Sequence, residues 1–303
     1  MSASAAAQEG QFARVWQRFR PHRLALGSHM VYERNAKYHR GPAKLRQFIY
    51  VNCGKPQFAD PRVRRALTMA TEMQKSIDDI YHGTWPRTLS YLQPTHWAYN
   101  NNLRDYTADP AGAERLLDEA GWRKPPDGIR VKDGVQLKCT MFTTAGNVAR
   151  QGCQALFQQN WRRIGVEMEI RNMPASFVWG EFTTQSRFDT LLVAWDPTVG
   201  LDPDYTARCH SRMIPVKHRQ GSNYVQYENT EVDRLLELGV TQTEQADRIR
   251  TYHRIQEILH EEVPFAAQGG SVRGHLKRRQ LQGPAPNQYV TDITGNVYDR
   301  HWA

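Results

Sequence analysis

Between residues 137 and 195 strand and helix periods alternate, and this limits the chain to a narrow set of folds. Leu137, Cys139 and Met141 alternate with Lys138 and Thr140, the two-residue period of a half-buried strand. Gly146-Asn147 breaks that strand, and residues 148–163 then carry Ala149, Cys153, Leu156 and Trp161 toward a core. Gly165 ends the helix, and Val166, Met168 and Ile170 alternate again. Two strands joined through one helix predict a parallel pair with a right-handed crossover. A further helix over 175–185 leads into Thr190–Trp195, a continuous apolar run of the kind that fills the centre of a buried sheet. The chain is expected to be an α/β protein.

The flanks are read by their helix signals. Asp60 and Asp109 are N-cap residues with Pro61 and Pro110 at the first helical positions. Val63, Ala66, Leu67 and Ala70 share one helical face, as do Ala113, Leu116, Leu117 and Ala120, with Gly121 as the stop. The helix beginning at Pro61 is expected to run to residue 73. Residues 82–108, with His82-Gly83, Pro86, Pro94 and three consecutive asparagines from Asn100, read as loop. Residues 196–222 read as a long loop, a length usually functional or mobile. Helices are expected near 230–239 and over about 244–262, the second stopped by Pro264. Residues 265–303 show no strong period.

Several functions find no support. No nucleophile elbow, phosphate loop or GxGxxG turn occurs, so no enzyme class or nucleotide cofactor is indicated. His82, His96 and His210 lack metal-ligand spacing, Cys53, Cys139, Cys153 and Cys209 form no CxxC pair, and no metal or other cofactor is expected. A net charge of +9 leaves a nucleic-acid or acidic partner open, but the basic residues are dispersed and form no arm, so no nucleic-acid partner is expected. No stretch is long and apolar enough to cross a bilayer. Residues 1–30 read as a weakly ordered lead-in. Arg14, Arg18, Arg20, His22 and Arg23 interrupt any apolar core of a secretory signal, so a complete chain of this sequence would stay in the cytoplasm.

A series of short motifs, collinear over residues 31–275, resembles the extracellular solute-binding proteins of family 5, the dipeptide, oligopeptide and nickel type. Val31-Tyr-Glu-Arg-Asn35, Arg40-Gly-Pro42, Asp60-Pro-Arg-Val-Arg-Arg-Ala-Leu67 and Asp109-Pro110 through Glu119-Ala-Gly-Trp122 carry it in the first half. Trp161-Arg-Arg-Ile-Gly-Val166, Trp195 with Asp202-Pro-Asp204, and Asn223-Tyr224 through Asp233 carry it in the second. The resemblance implies a type II (cluster C) periplasmic-binding fold. Residues 57–270 would form the C-terminal, ligand-binding lobe, residues 31–56 a fragment of the first lobe, and residues 271–303 a return segment to it. The chain would be a truncated member, with little of the N-terminal lobe.

The resemblance further implies the capture component of an ABC importer. A small solute or peptide binds between two lobes without chemical change and passes to permease subunits. Such a chain would be a periplasmic monomer, touching the membrane only through the permease. The alternatives are a truncated remnant that binds nothing and a basic cytoplasmic partner or nucleic-acid binder. Candidate ligand-binding residues are Trp195, Asp196 and Asp202 around the loop after the apolar run, Asn147 and Arg150 at the start of the helix after strand 137–142, and Asn223, Tyr224 and Tyr227 as a cleft rim. In peptide-binding members an Asp of the Trp195 loop holds the ligand's α-amino group. Here Val199 stands near that place, which disfavours free-amine peptides unless Asp196 or Asp202 substitutes. Arg150 can pair with a ligand carboxylate through its planar fork of donors.

Overall fold

The computed structural model describes residues 42–126, 128–195 and 202–272, together with the backbone of 281–282 and 301–302. Five strands build one sheet: β1 (Pro42–Val51), β2 (Lys138–Thr144), β3 (Glu167–Met173), β4 (Thr190–Trp195) and β5 (Phe265–Val272), in the order β3-β2-β4-β1-β5. β2 is parallel to β3 and to β4, and β1 runs antiparallel between β4 and β5. The predicted strand–helix–strand unit is present, with its helix over Val148–Arg163.

Six principal helices accompany the sheet: α1 (Pro61–Ala70), α2 (Met73–Ile80), α3 (Pro110–Glu119), α4 (Val148–Arg163), α5 (Thr230–Thr241) and α6 (Gln245–Glu262). Their starts follow local chemistry. The side chains of Asp60, Asp109, Asn147 and Asn229 accept hydrogen bonds from first-turn amides, and Pro61 and Pro110 occupy positions where no amide donor is needed.

Alternation along the strands sends side chains to two cores, one on each face of the sheet. Phe48, Tyr50, Leu191 and Val193 face a core closed by α5, α6 and the segments around Tyr91 and Phe182. Ile49, Val51, Leu192 and Met141 face a second core closed by α1, α3 and α4. A sheet covered on both faces explains the unbroken apolar run of β4.

The structure departs from the sequence reading at four places. The segment 31–56, set apart as a piece of another lobe, contains β1, which is hydrogen-bonded on both sides inside this sheet. β5 lies in the tail read as aperiodic, because a strand with neighbours on both faces need not alternate. The helix expected to reach residue 73 ends at Ala70, and α2 begins a new direction after Thr71, whose backbone is extended. The helix expected over 175–185 is broken at Gly180, whose φ of −90° and ψ of −143° are not helical. The loop over 82–108 also has a structural duty. Gly270 donates to the Pro86 carbonyl at 3.0 Å and Arg87 bridges to Gly269, which covers the outer edge of β5.

Candidate functional site

Because β2, β3 and β4 are parallel, their carboxyl ends meet at one edge of the sheet. The start of β1 and the end of β5 lie there too, since Arg46 pairs across to both Trp195 and Gly270. Ligands of α/β sheets collect at such an edge, outside the strand ends. Two groups of side chains occupy it, one on each face.

On the α4 face stands Arg150. Asn147 caps α4 by accepting from the Arg150 amide at 3.0 Å, which fixes the first turn. The Arg150 guanidinium donates to Gln47 Oε1 at 3.2 Å and to Thr144 Oγ1 at 3.0 Å. Gln47 is itself held: its Oε1 accepts from the Tyr81 hydroxyl at 3.1 Å and its Nε2 donates to Gln268 Oε1 at 2.5 Å. Gln268 in turn donates to Ser76 Oγ at 2.5 Å. This buried chain of bonds ties α2, β1, β5 and α4 together beneath Arg150 and fixes the direction of its donors. Burial pulls the Arg150 pKa down from its ordinary value, and no carboxylate among the described residues pairs with it.

On the opposite face stands Trp195, half-buried at the end of β4. Its ring centroid lies 5.0 Å from Tyr50, 5.7 Å from Trp179 and 6.1 Å from Tyr224. The Arg208 guanidinium lies 3.4 Å above the ring centroid. Trp179 and Phe177 remain substantially exposed, 41% and 46%, so an aromatic rim faces outward here.

The eight candidate residues divide accordingly. Trp195, Tyr224, Asn147 and Arg150 lie at the strand-end edge or against it. Asp202 is exposed, accepts from the Asp204 amide at 2.9 Å and is bound to Arg248 at 3.0 Å, a turn cap with an ion pair. Asn223 and Tyr227, expected at a rim, are sealed in the core. The Asn223 amide donates to the His210 and Tyr227 carbonyls and accepts from the Tyr227 amide, and the Tyr227 hydroxyl donates to Glu262 at 2.7 Å. Tyr next to a loop packs inward where a buried acceptor satisfies its hydroxyl. Asp196 lies outside the described residues.

Gln47, Gln268, Tyr81, Arg208 and Trp179 escaped sequence reasoning. Gln47 and Gln268 meet only through the β1–β5 register, so no local signal marks them. A separate concavity lies between α1, α6 and the segment 87–107. Its charges are already matched within the chain: Arg87 binds Asp105 at 3.0 Å and the Gln268 carbonyl at 2.9 Å. Among the described residues no group of three or more His, Cys, Asp or Glu is placed to hold a metal.

The sheet order and the groups at its carboxyl edge define a mixed α/β fold of the type II periplasmic-binding class. The family described as bacterial extracellular solute-binding proteins, family 5 Middle, matches residues 3–211. This chain belongs to that family.

Among similar proteins, the heme-binding protein A of Haemophilus influenzae is 28% identical over 228 residues, 74% of this chain and 39% of that protein. The dipeptide-binding protein of Escherichia coli is 26% identical over 252 residues, 82% of this chain and 43% of that protein. The solved structure of the oligopeptide-binding protein AppA from Bacillus subtilis, in complex with a nonapeptide, superposes with a TM-score of 0.78 at 23% identity. That likeness covers 88% of this chain and 51% of AppA. The chain thus spans well under half the length of those two curated relatives.

Proposed function

We propose that this chain serves as the substrate-binding component of an ABC importer, or as the lobe of one, for peptides or similar small solutes. The ligand sits at the carboxyl edge of the sheet, against Trp195 and Tyr224 on one face and Arg150 on the other, and is bound without chemical change. In the two-lobed clamp that the family resemblance implies, this edge faces the opposing lobe. Closure presents a surface different from that of the open form to the permease, and the site of action is periplasmic.

One observation carries the reading: a guanidinium held by Gln47 and Thr144, with no acid of its own among the described residues, at the strand ends of a family 5 fold. A side chain bonded only to stabilise its own fold would find a carboxylate or solvent, whereas Arg150 is half-buried and aimed by a prepared network.

The test is a thermal-melt screen of the purified chain against dipeptides, longer peptides and other small solutes. A ligand at a hundred times its Kd adds about 2.7 kcal/mol of stability. A reproducible rise in Tm with a subset of compounds, diminished in Arg150→Gln, is the expected result. Indifference of the melt to every compound would sink the proposal.

A further inference from the structure

The Trp195 face of the edge holds an unmet demand for negative charge. Arg208 Nη1 and Trp195 Nε1 are both shielded from solvent, and neither has a hydrogen-bond acceptor among the described residues. They belong to side chains in contact, the guanidinium 3.4 Å from the ring centroid. Stacking uses the face of a guanidinium and leaves its in-plane N–H groups to seek acceptors.

The acids nearby are committed elsewhere. Asp204 Oδ1 accepts from the Thr206 amide and hydroxyl, Asp233 accepts from Ser211, and Glu237 pairs with His210 and Arg212. No ion pair to Arg208 or to Arg150 occurs among the described residues, whereas Arg87, Arg130 and Arg248 each have an aspartate. Arginine does not shed its charge, so the buried Arg208 Nη1 without an acceptor is costly until an anion reaches it.

We propose that Arg208 and Trp195 form an anchor for a ligand carboxylate, so that the solutes taken at this edge are anionic. This rests on the function proposed above and narrows its substrate class. The carboxylate accepts from Arg208 Nη1 and Trp195 Nε1, and Arg150 on the other face of the edge takes a second acidic group when the ligand has one. Both anchor nitrogens are covered in the present conformation, so binding includes a shift of the Trp195 cluster, which indole fluorescence reports.

The experiment is calorimetric and fluorescence titration of the full chain, in chloride buffer, with Ala-Glu, Ala-Lys, Ala-Ala amide and glutarate. Ala-Glu and glutarate are expected to bind at least about tenfold more tightly than the amide, which has no carboxylate, with a change in tryptophan emission, and Ala-Lys, which keeps its C-terminal carboxylate but is net cationic, should fall between. Arg208→Gln should remove most of that preference, Arg208→Lys should keep part of it, and Arg212→Gln, an exposed control, should leave it intact. If Arg208→Gln does not fold, as judged by circular dichroism, the ligand series on the wild-type chain and Arg208→Lys still decides. Binding indifferent to ligand charge, or unchanged in Arg208→Gln, overturns the anionic anchor and leaves the transport reading standing. Failure of every probe, charged or neutral, to bind overturns both.

Discussion

Asn223 and Asp202 show how two side chains of the same shape serve opposite ends at the scale of a single residue. Both carry oxygens suited to a ligand, and both stand in segments read as cleft loops. Asn223 has no exposed surface and spends its amide on three backbone groups. Removing it leaves buried donors and acceptors unpaired, so Asn223→Ala should cost about 2–4 kcal/mol in urea unfolding. Asp202 is exposed and its pair with Arg248 is solvated, so Asp202→Asn should change stability by less than about 1 kcal/mol. If the two variants unfold at the same urea midpoint, the burial assigned to Asn223 is wrong. Trp195, a candidate ligand-binding residue by sequence, is only partly covered by the fold. Tyr50 covers part of its ring, while Trp179 beside it is open to solvent.

Among the elements, α5 and α6 pack most tightly at one glycine. A Cβ built on Gly239 of α5 would lie 2.8 Å from the Tyr252 ring of α6, too close for any carbon contact. Glycine in a helix interior is ordinarily worse than alanine by about 0.5–1 kcal/mol. Here the ranking inverts: Gly239→Ala should destabilise by about 1–3 kcal/mol, because the Tyr252 ring it would meet is fully buried. A chemical denaturation curve in which Gly239→Ala is the more stable protein would contradict that packing. The crossover helix α4 illustrates the opposite case, in which sequence suffices. Its bounds, its Asn147 cap and the inward Cys153 and Trp161 are all local or periodic features, and the structure has them where the periodicity puts them. The strands β1 and β5 offered no such handle. Each is defined by the neighbours that flank it, and β1 is also shifted in register between Gln47 and Phe48.

Across the whole molecule, the two cores share a single sheet, and the thiols report on both. Cys139 and Cys153 lie in the core beneath α4, Cys209 in the other, and Cys53 is partly buried against it. Burial raises all four pKa values, that of Cys53 to about 11. A thiol above its usual range has little thiolate at mildly alkaline pH, and the thiolate is the reactive form. The native chain should therefore react slowly with a disulfide reagent, and guanidinium should release all four thiols in one transition. Rapid titration of Cys139 or Cys209 in the native state would mean that one core opens independently of the other. That these cysteines form no CxxC pair is legible in their spacing. Their division between two cores is not.

The sequence by itself determined the α/β class, the family and most helix boundaries, because caps, turn residues and a 3.6-residue period act over a few neighbours. It also pointed to the strand-end edge through Trp195, Asn147 and Arg150. Tertiary structure decided which polar residues reach that edge. Gln47 and Gln268 stand 221 positions apart and meet across β1 and β5, and Arg208 comes to rest on Trp195 through the fold of its own short helical turn. Contacts of that range depend on strand order and register, which no local pattern encodes.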